Sequence, residues 1–235
     1  WAIDITFSRN VFLPLTTVCR NRCDYCGFRT PVQEGCILTP AEVAGILRRG
    51  AETGCTEALF TVGERPELEP GFTTMLSGLG YGSIVDYCHA MCREAIGMGL
   101  LPHTNAGVLS YEEMERLRPV NASMGLMLET TVPVPAHRHS PGKRVEERVR
   151  MMEDAGRLRI PFTTGILVGI GETLGDREES LMAIRDLHRR FGHIQEVIVQ
   201  NFCPKEGPPM ARAPGVSTEA MCMTLRLPRA LPPPD

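Results

Sequence analysis

The chain has 235 residues, of which 43% are hydrophobic and 23% charged, and its 25 basic and 28 acidic side chains give a formal charge of −3. This length suits one domain with a substantial core, and this charge offers no broad field for nucleic acid or an anionic membrane. No apolar stretch approaches the roughly 20 residues that span a bilayer. Nine cysteines without a recognisable signal peptide are typical of a cytoplasmic protein that uses thiols as metal ligands.

An apolar, β-branched run followed by a stretch of helical period recurs along the chain. The predicted strands are Val11–Val18, Glu57–Val62, Leu101–Ala106, Ala122–Leu128, Pro161–Val168 and Gln195–Asn201. The predicted helices are Pro40–Glu52, Ser83–Met98, Tyr111–Leu117, Gly142–Gly156, Asp176–Phe191 and one that begins at Ser217. This alternation predicts a parallel α/β sheet with helical crossovers. An open doubly wound sheet and a partial barrel both fit the pattern.

In either architecture, ligands bind at the carboxyl ends of the strands. Polar or reactive side chains do follow the six predicted strands. In chain order they are Cys19 to Cys26, Gly63-Glu64, His103 with Asn105, Glu129, Gly169-Ile170-Gly171-Glu172, and Gln200-Asn201. We therefore expect a binding or catalytic site at one edge of the sheet.

The most specific signal is the C-x3-C-x2-C run of Cys19, Cys23 and Cys26. Three thiolates at this spacing on a loop can ligate three irons of a cubane cluster and leave the fourth iron open. An open iron can bind a substrate or cofactor. After the first strand of a parallel α/β domain, this pattern is typical of radical S-adenosylmethionine (SAM) enzymes.

Structural zinc is the alternative interpretation of the same cysteines. Cys36 lies ten residues beyond Cys26 and can complete a tetrahedral four-cysteine site in a binding protein without catalytic chemistry. Structural zinc sites usually use paired C-x2-4-C knuckles, however, and here the second half is a single cysteine.

Several further blocks carry a more specific resemblance. They are Ile5–Thr16, which runs into the cysteine motif, then Phe60–Glu67, His103–Gly107, Pro161–Thr173 and Gly192–Phe202. Together these blocks resemble, in order and over nearly the whole chain, the radical SAM subunit of the 7,8-didemethyl-8-hydroxy-5-deazariboflavin synthase family. The resemblance implies a partial (β/α)6-type TIM-like barrel, with residues 1–235 as a single radical SAM core domain. Because the family chain continues beyond Asp235, it also implies a truncated C-terminus.

The resemblance also implies a reaction. A 4Fe–4S cluster, with SAM on its fourth iron, generates a 5′-deoxyadenosyl radical. The radical acts on an adduct of a hydroxybenzyl group and a ribityl-diaminouracil, and the deazaflavin ring closes with loss of ammonia. The implied partners are the sister radical SAM subunit that makes the adduct and a ferredoxin or flavodoxin that donates electrons. Another radical SAM enzyme, similar to biotin synthase or to a tyrosine lyase, remains the alternative within this superfamily.

Residue roles follow from the same resemblance. For SAM, Gly63 and Glu64 receive the methionine ammonium, Arg148 pairs with the carboxylate, and Glu129 contacts the ribose or amino-acid moiety. On the adenine side the implied residues are Tyr25, Gly169 and Gly171. For the substrate we expect contacts from His103, Asn105, Thr164 and Asn201, because all four lie toward the ends of predicted strands, with His103 as an acid–base group because its charge is adjustable near neutrality.

Overall fold

The computed structural model describes residues 6–230 and contains one six-stranded sheet in the order β1 to β6. The strands are β1 (Asn10–Thr16), β2 (Glu57–Val62), β3 (Leu101–Asn105), β4 (Ser123–Gly125), β5 (Phe162–Val168) and β6 (Ile194–Asn201). The α-helices are α1 (Pro40–Glu52), α2 (Phe72–Gly78), α3 (Ile84–Gly97), α4 (Tyr111–Leu117), α5 (Val145–Arg157), α6 (Leu174–Phe191) and α7 (Thr218–Ala230). Short 3-10 turns lie at Pro66–Leu68, Arg118–Val120, Pro135–His137, Pro141–Lys143 and Pro209–Arg212.

The order of the strands decides between the two architectures. All neighbouring strands are parallel and follow one another in chain order. A doubly wound sheet reverses its strand order at a switch point, whereas a barrel adds each strand beside the last. The predicted parallel α/β fold of the partial-barrel type is therefore confirmed, and β1 and β6 are the edges of this sheet.

The two faces of the sheet have different roles. Along β2, Ala58 and Phe60 are 0% exposed and belong to the main hydrophobic core, together with residues of α1 and α3. Thr61, next to Phe60, lines a cavity on the opposite face. Successive side chains of a strand point to opposite faces, so the outer face packs on helices and the inner face is left for the site.

Helix ends follow local chemistry that the sequence predicts. Thr39 caps α1 in a capping box with Glu42, and Pro40 occupies the first turn. Ser110 forms the same arrangement with Glu113 at α4. Such caps satisfy backbone N–H groups that have no partner within the helix. None of the helices within residues 6–230 has the length and apolar character that a bilayer crossing requires.

Several element boundaries differ from the prediction. The predicted strand Ala122–Leu128 is shortened to β4, because the regular ladder with β5 ends at Gly125. The chain nevertheless stays beside β5, and Glu129, in a left-handed backbone conformation (φ 67°), forms an isolated bridge with Ile166. The predicted helix Gly142–Gly156 begins only at Val145, since a separate 3-10 turn precedes it. The short helix α2 was not predicted. The predicted domain 1–235 extends at both ends outside the described residues.

Candidate active site

The three motif cysteines lie in the loop between β1 and α1. Cys19, Cys23 and Cys26 are partly buried and line one cavity of about 340 Å³ at the carboxyl ends of the strands. Cys36, the candidate fourth zinc ligand, is exposed instead. Among residues 6–230, no three His, Cys, Asp or Glu side chains are grouped so that they could hold a single metal ion.

Two of these thiols accept hydrogen bonds from outside their own loop. The backbone N–H of Glu64 donates to Cys19 Sγ, and the hydroxyl of Ser140 donates to Cys23 Sγ, each at 3.1 Å. Burial raises the pKa of Cys19 to about 11, so a bound cation is needed to hold it as a thiolate. Three soft donors around one cavity, with N–H and O–H groups aimed at their sulfurs, fit an iron–sulfur cluster.

A second segment, residues 136–142, runs along the cysteine loop, and we call it the strap. Four of the hydrogen bonds that join the two lie around Cys23: Arg22 N to His139 O (3.1 Å), Asp24 N to Ala136 O (3.0 Å), Gly142 N to Asn21 Oδ1 (2.9 Å) and Ser140 Oγ to Cys23 Sγ (3.1 Å). These bonds fix the backbone on both sides of Cys23. Sequence reasoning missed the strap, although Pro135 and Pro141, each opening a 3-10 turn, were a signal of ordered backbone there.

Gly63 permits the close approach of β2 to the cysteine loop. A Cβ atom at this position would lie 2.0 Å from the carbonyl oxygen of Val18 and 2.7 Å from Cys19 Cβ. Real Cβ atoms do not approach backbone so closely, and only glycine fits. The backbone N–H of Glu64 can therefore reach Cys19 Sγ.

The carboxylate of Glu64 is enclosed by the site. It accepts a hydrogen bond from Val108 N at 3.1 Å and lies 3.9 Å from Arg148 Nη2, with both side chains under 5% exposed. Burial raises the pKa of Glu64, while the nearby Arg148 opposes that shift. Arg148 is itself held by the carbonyl oxygens of Gly142 (2.9 Å) and Met127. A carboxylate and a guanidinium thus stand side by side in the cavity wall.

Glu129 is the centre of a second buried network. Its carboxylate accepts hydrogen bonds from Tyr25 Oη, Lys143 Nζ and His137 Nε2, the last at 3.0 Å. Burial alone would raise the pKa of Glu129, but Lys143 and His137 outweigh it and hold the pKa well below its usual range. The carboxylate is therefore ionised. Lys143 and His137 were not predicted from the sequence, although Lys143 is one of only two lysines in the chain.

A larger cavity of about 790 Å³ adjoins the cysteine cavity. The two share Tyr25, Phe28, Met127, Glu129 and Gln200. The larger one continues along the end of β6 to Asn201, Phe202 and Lys205. Tyr25 and Glu129 therefore stand between the thiols and a space large enough for an extended organic ligand.

The structure brings some of the predicted substrate residues to these cavities. Asn105 lines the cysteine cavity and Asn201 the larger one. His103 lies two residues before Asn105 on the same strand face, 7% exposed, with Nδ1 2.7 Å from Ser123 Oγ. Burial lowers the pKa of His103 to about 4, so the ring is neutral at pH 7.

Thr164 is not brought to either cavity. Its hydroxyl donates to Met152 Sδ of α5 at 3.7 Å and accepts from Leu128 N at 3.3 Å. It therefore points to the helix side of β5. Because side chains alternate along a strand, Leu167 points to the inner face and lines the larger cavity instead.

Gly169 and Gly171 lie in the turn after β5 with φ values of 97° and 117°, which favour glycine. The Glu172 carboxylate closes this turn by accepting from Gly169 N (2.7 Å) and Ile170 N (2.8 Å). In the described part of the chain, neither glycine is among the residues that line the two cavities. The turn is nevertheless at the same edge of the sheet.

Comparisons with known proteins show the family of the chain. Residues 13–184 match the family model of the radical SAM superfamily. The 7,8-didemethyl-8-hydroxy-5-deazariboflavin synthase of Methanosphaerula palustris is 66% identical over 231 residues, and that of Methanoregula boonei 62% identical over 231 residues. These alignments cover 98% of this chain and 71% and 70% of the relatives.

Solved structures are similar in fold. Methylornithine synthase (PylB) aligns with a TM-score of 0.71 at 21% identity, over 93% of this chain and 61% of its own. The [FeFe]-hydrogenase maturase HydG aligns with a TM-score of 0.75 at 20% identity, over 94% of this chain and 50% of its own. The solved structures, at about 20% identity, show the fold alone. The relatives above 60% identity also show the family. The chain belongs to the radical SAM superfamily and, within it, to the 7,8-didemethyl-8-hydroxy-5-deazariboflavin synthase family.

Proposed function

We propose that this chain is a radical SAM enzyme of deazaflavin biosynthesis that forms the ring of 7,8-didemethyl-8-hydroxy-5-deazariboflavin. One observation carries the proposal: the three cysteines of a C-x3-C-x2-C motif line a single cavity with Glu64 and Arg148, in a chain 66% identical to a deazariboflavin synthase. When bound, a 4Fe–4S cluster and SAM supply a 5′-deoxyadenosyl radical that takes a hydrogen atom from the substrate. The single domain 1–235 supplies the binding and the orientation.

The thiolates of Cys19, Cys23 and Cys26 hold the cluster in this proposal. Each is anchored by its surroundings: Cys19 by the backbone of Glu64, Cys23 by Ser140, and Cys26 through its N–H, which donates to Cys23 O at 3.1 Å. The hydrogen bonds on sulfur fix the rotamers of Cys19 and Cys23 before the cluster binds, and the backbone bond positions Cys26.

Glu64 and Arg148 take the amino-acid end of SAM. A methionine moiety carries an ammonium and a carboxylate on one carbon, and the two side chains offer the complementary charges 3.9 Å apart. The separation leaves each partner with unused hydrogen-bonding capacity, and the forked guanidinium suits a carboxylate. Both groups are buried, so their interactions with a ligand are weakly screened.

Glu129 and Tyr25 orient the rest of SAM. The ionised Glu129 carboxylate lies at the boundary between the two cavities, where it can accept hydrogen bonds from ribose hydroxyls. The Tyr25 ring is fixed by its bonds to Glu129 and to His137 (3.0 Å) and can pack on adenine. Gly169 and Gly171 shape the adenine side from the end of β5.

The substrate lies on the inner face of the sheet in this proposal. Asn105 and Asn201 offer amide donors and acceptors at the two cavities, which suits the polar uracil and ribityl groups of the adduct. His103, on the same strand face as Asn105, is kept as the proposed acid–base group, although it lines neither cavity and its ring is neutral at pH 7. Thr164 is left out, because its hydroxyl faces α5.

The proposed reaction closes the deazaflavin ring with release of ammonia, which makes the enzyme a carbon–nitrogen lyase. A sister radical SAM subunit supplies the hydroxybenzyl–ribityl-diaminouracil adduct, and a ferredoxin or flavodoxin supplies the electron. Support for these steps comes from the identity to the named relatives.

The test is an anaerobic incubation of the iron-loaded chain with SAM, dithionite and the adduct, with the Methanosphaerula palustris relative as positive control. We expect 5′-deoxyadenosine and a fluorescent deazaflavin, and neither product with Cys23→Ala. Deoxyadenosine without deazaflavin, beside an active relative, would assign a different substrate. A protein that binds zinc and no iron would overturn the proposal.

A further inference from the structure

A separate basic pocket is lined mostly by residues of the strap and shares no lining residue with the two cavities. Its volume is about 650 Å³, and its lining is Arg22, His137, Arg138, His139, Ser140, Pro141 and Arg144. The side chains of Arg138 and Arg144 are 61% and 69% exposed, and Arg22 is exposed as well. No carboxylate lines the pocket in the described part of the chain.

The charge of this pocket is opposite to that of the whole chain. Two carboxylates border it: Asp24 pairs with Arg138 at 3.3 Å, and Glu147 lies 3.9 Å from Arg144. Arg22 has no ion-pair partner within residues 6–230. Three guanidiniums against two carboxylates leave a local positive excess, whereas the chain carries −3 overall. Exposed charged side chains around a surface depression are typical of the rim of a protein–protein interface, where they steer the association of the partner.

The pocket is next to the cysteine loop. Arg22 directly precedes Cys23, and its backbone N–H donates to the carbonyl oxygen of His139 in the strap at 3.1 Å. Ser140 belongs to both sites, since it lines the basic pocket and donates to Cys23 Sγ at 3.1 Å. One hydrogen bond therefore separates the floor of the pocket from a proposed cluster ligand. Electron transfer falls steeply with distance, so a carrier seated here would be close to its acceptor.

We propose that this basic pocket docks a small acidic one-electron carrier protein, which reduces the cluster from the strap side. The proposal rests on the proposed function, because it needs a cluster on Cys23. With a flavodoxin as carrier, the anionic flavin hydroquinone loses one electron and becomes the neutral semiquinone. The cluster gains that electron and passes from the 2+ to the 1+ state. No proton or further reductant is required.

The test reverses the charge of the pocket in the triple variant Arg22→Glu, Arg138→Glu, Arg144→Glu. We expect its cluster to be reduced by flavodoxin hydroquinone at least about tenfold more slowly at low salt, with a weaker dependence on ionic strength. Reduction by dithionite should keep its rate. The matched control, Arg48→Glu, Arg93→Glu, Arg118→Glu, changes the net charge equally at exposed positions outside the pocket and should stay close to wild type.

A second variant and a second measurement distinguish loss of docking from damage to the cysteine loop. The variant Arg22→Gln, Arg144→Gln keeps the pair between Arg138 and Asp24 and should still lose about threefold in rate. Binding of flavodoxin to the cluster-free chain, followed by flavin fluorescence anisotropy, should weaken in the same order among the variants. Pocket variants that bind and accept electrons like the matched control would overturn the docking site. A chain that binds no iron would instead overturn the proposed function.

Discussion

The hydroxyl of Ser140 donates a hydrogen bond to Cys23 Sγ across 3.1 Å, although the two residues are 117 positions apart in the chain. A hydrogen bond to a ligand sulfur stabilises the more negative, reduced state of an iron–sulfur cluster. The strap therefore has an electronic effect on the proposed cluster as well as a mechanical one.

Replacing Ser140 by Ala should lower the reduction potential of the cluster. A net hydrogen-bond energy of about 1 kcal/mol corresponds to about 40 mV in a one-electron couple. The potential would be measured by a redox titration followed by electron paramagnetic resonance. Ser140→Thr, which keeps the hydroxyl, should restore the wild-type value, and Ser77→Ala on the exposed face of α2 is the matched control. A potential unchanged in Ser140→Ala would show that the bond does not act on the cluster.

Gly63→Ala should prevent cluster binding. The added Cβ would lie 2.0 Å from the backbone oxygen of Val18, so β2 and the cysteine loop must separate and the bond from Glu64 N to Cys19 Sγ must break. Overpacking of this kind typically costs about 1–3 kcal/mol. Iron content and the midpoint of thermal unfolding would be measured beside Gly97→Ala, whose new Cβ meets nothing within 4 Å. Full iron content in Gly63→Ala would contradict the expectation.

The sequence predicted the cysteine loop and the edge of the sheet that bears it, because both depend on local spacing and on a general property of parallel sheets. The networks around them depend on contacts between distant segments: Tyr25 and Glu129 are 104 positions apart. No periodic pattern reports such a contact. This is why the strap, His137 and Lys143 were missed.

Thr164 was predicted to contact the substrate for a different reason, which is that the residue pattern of β5 does not reveal which side chains face the cavities. All seven residues of β5 are buried, because helices cover one face and the inner face is enclosed as well. Strands buried on both faces have no alternation of apolar and polar residues, so the pattern could not tell which face Thr164 occupies. Strand β2, by contrast, does alternate in burial, and there the residues of the inner face can be identified.

His103 should make the stability of the chain sensitive to mild acid. Burial lowers its folded-state pKa from 6.5 to about 4, so between these values the unfolded chain binds a proton that the folded chain does not. Stability conferred by the neutral ring is complete above pH 6.5 and is lost as the pH falls toward 4, by up to about 3 kcal/mol.

The measurement is the free energy of urea unfolding of the cluster-free chain across this pH range. His103→Asn removes the titrating ring and should flatten the profile relative to wild type, while the same substitution at the half-buried His89 on α3 is the matched control. Equal slopes for wild type and His103→Asn would show that the ring is already protonated or solvated in the folded state.

Glu64→Gln should weaken SAM binding and leave the cluster in place. The carboxylate side chain faces Val108 and Arg148, but the contact with Cys19 is made by the backbone N–H, which the substitution keeps. Loss of one charge-assisted hydrogen bond costs about 1.5–3 kcal/mol, or on the order of tenfold to hundredfold in affinity. Calorimetry of SAM binding and iron analysis would separate the two effects. Glu67→Gln, beside Arg65, is the control, and wild-type affinity in Glu64→Gln would remove this carboxylate from the SAM site.

Substitution of Cys23 and of Cys36 distinguishes an open iron–sulfur cluster from a closed zinc site. An open cluster needs only Cys19, Cys23 and Cys26, which line one cavity, whereas a zinc site needs a fourth ligand and the exposed Cys36 is the nearest in sequence. Cys23→Ala should therefore abolish the brown colour and all cleavage of SAM. Cys36→Ala should keep both, with a change in stability within about 0.5 kcal/mol, as expected for an exposed side chain. Metal analysis and visible absorption of the two variants, purified without oxygen, give the answer. If Cys36→Ala loses its metal as completely as Cys23→Ala, four cysteines hold that metal, no iron is left open for SAM, and the radical mechanism is wrong.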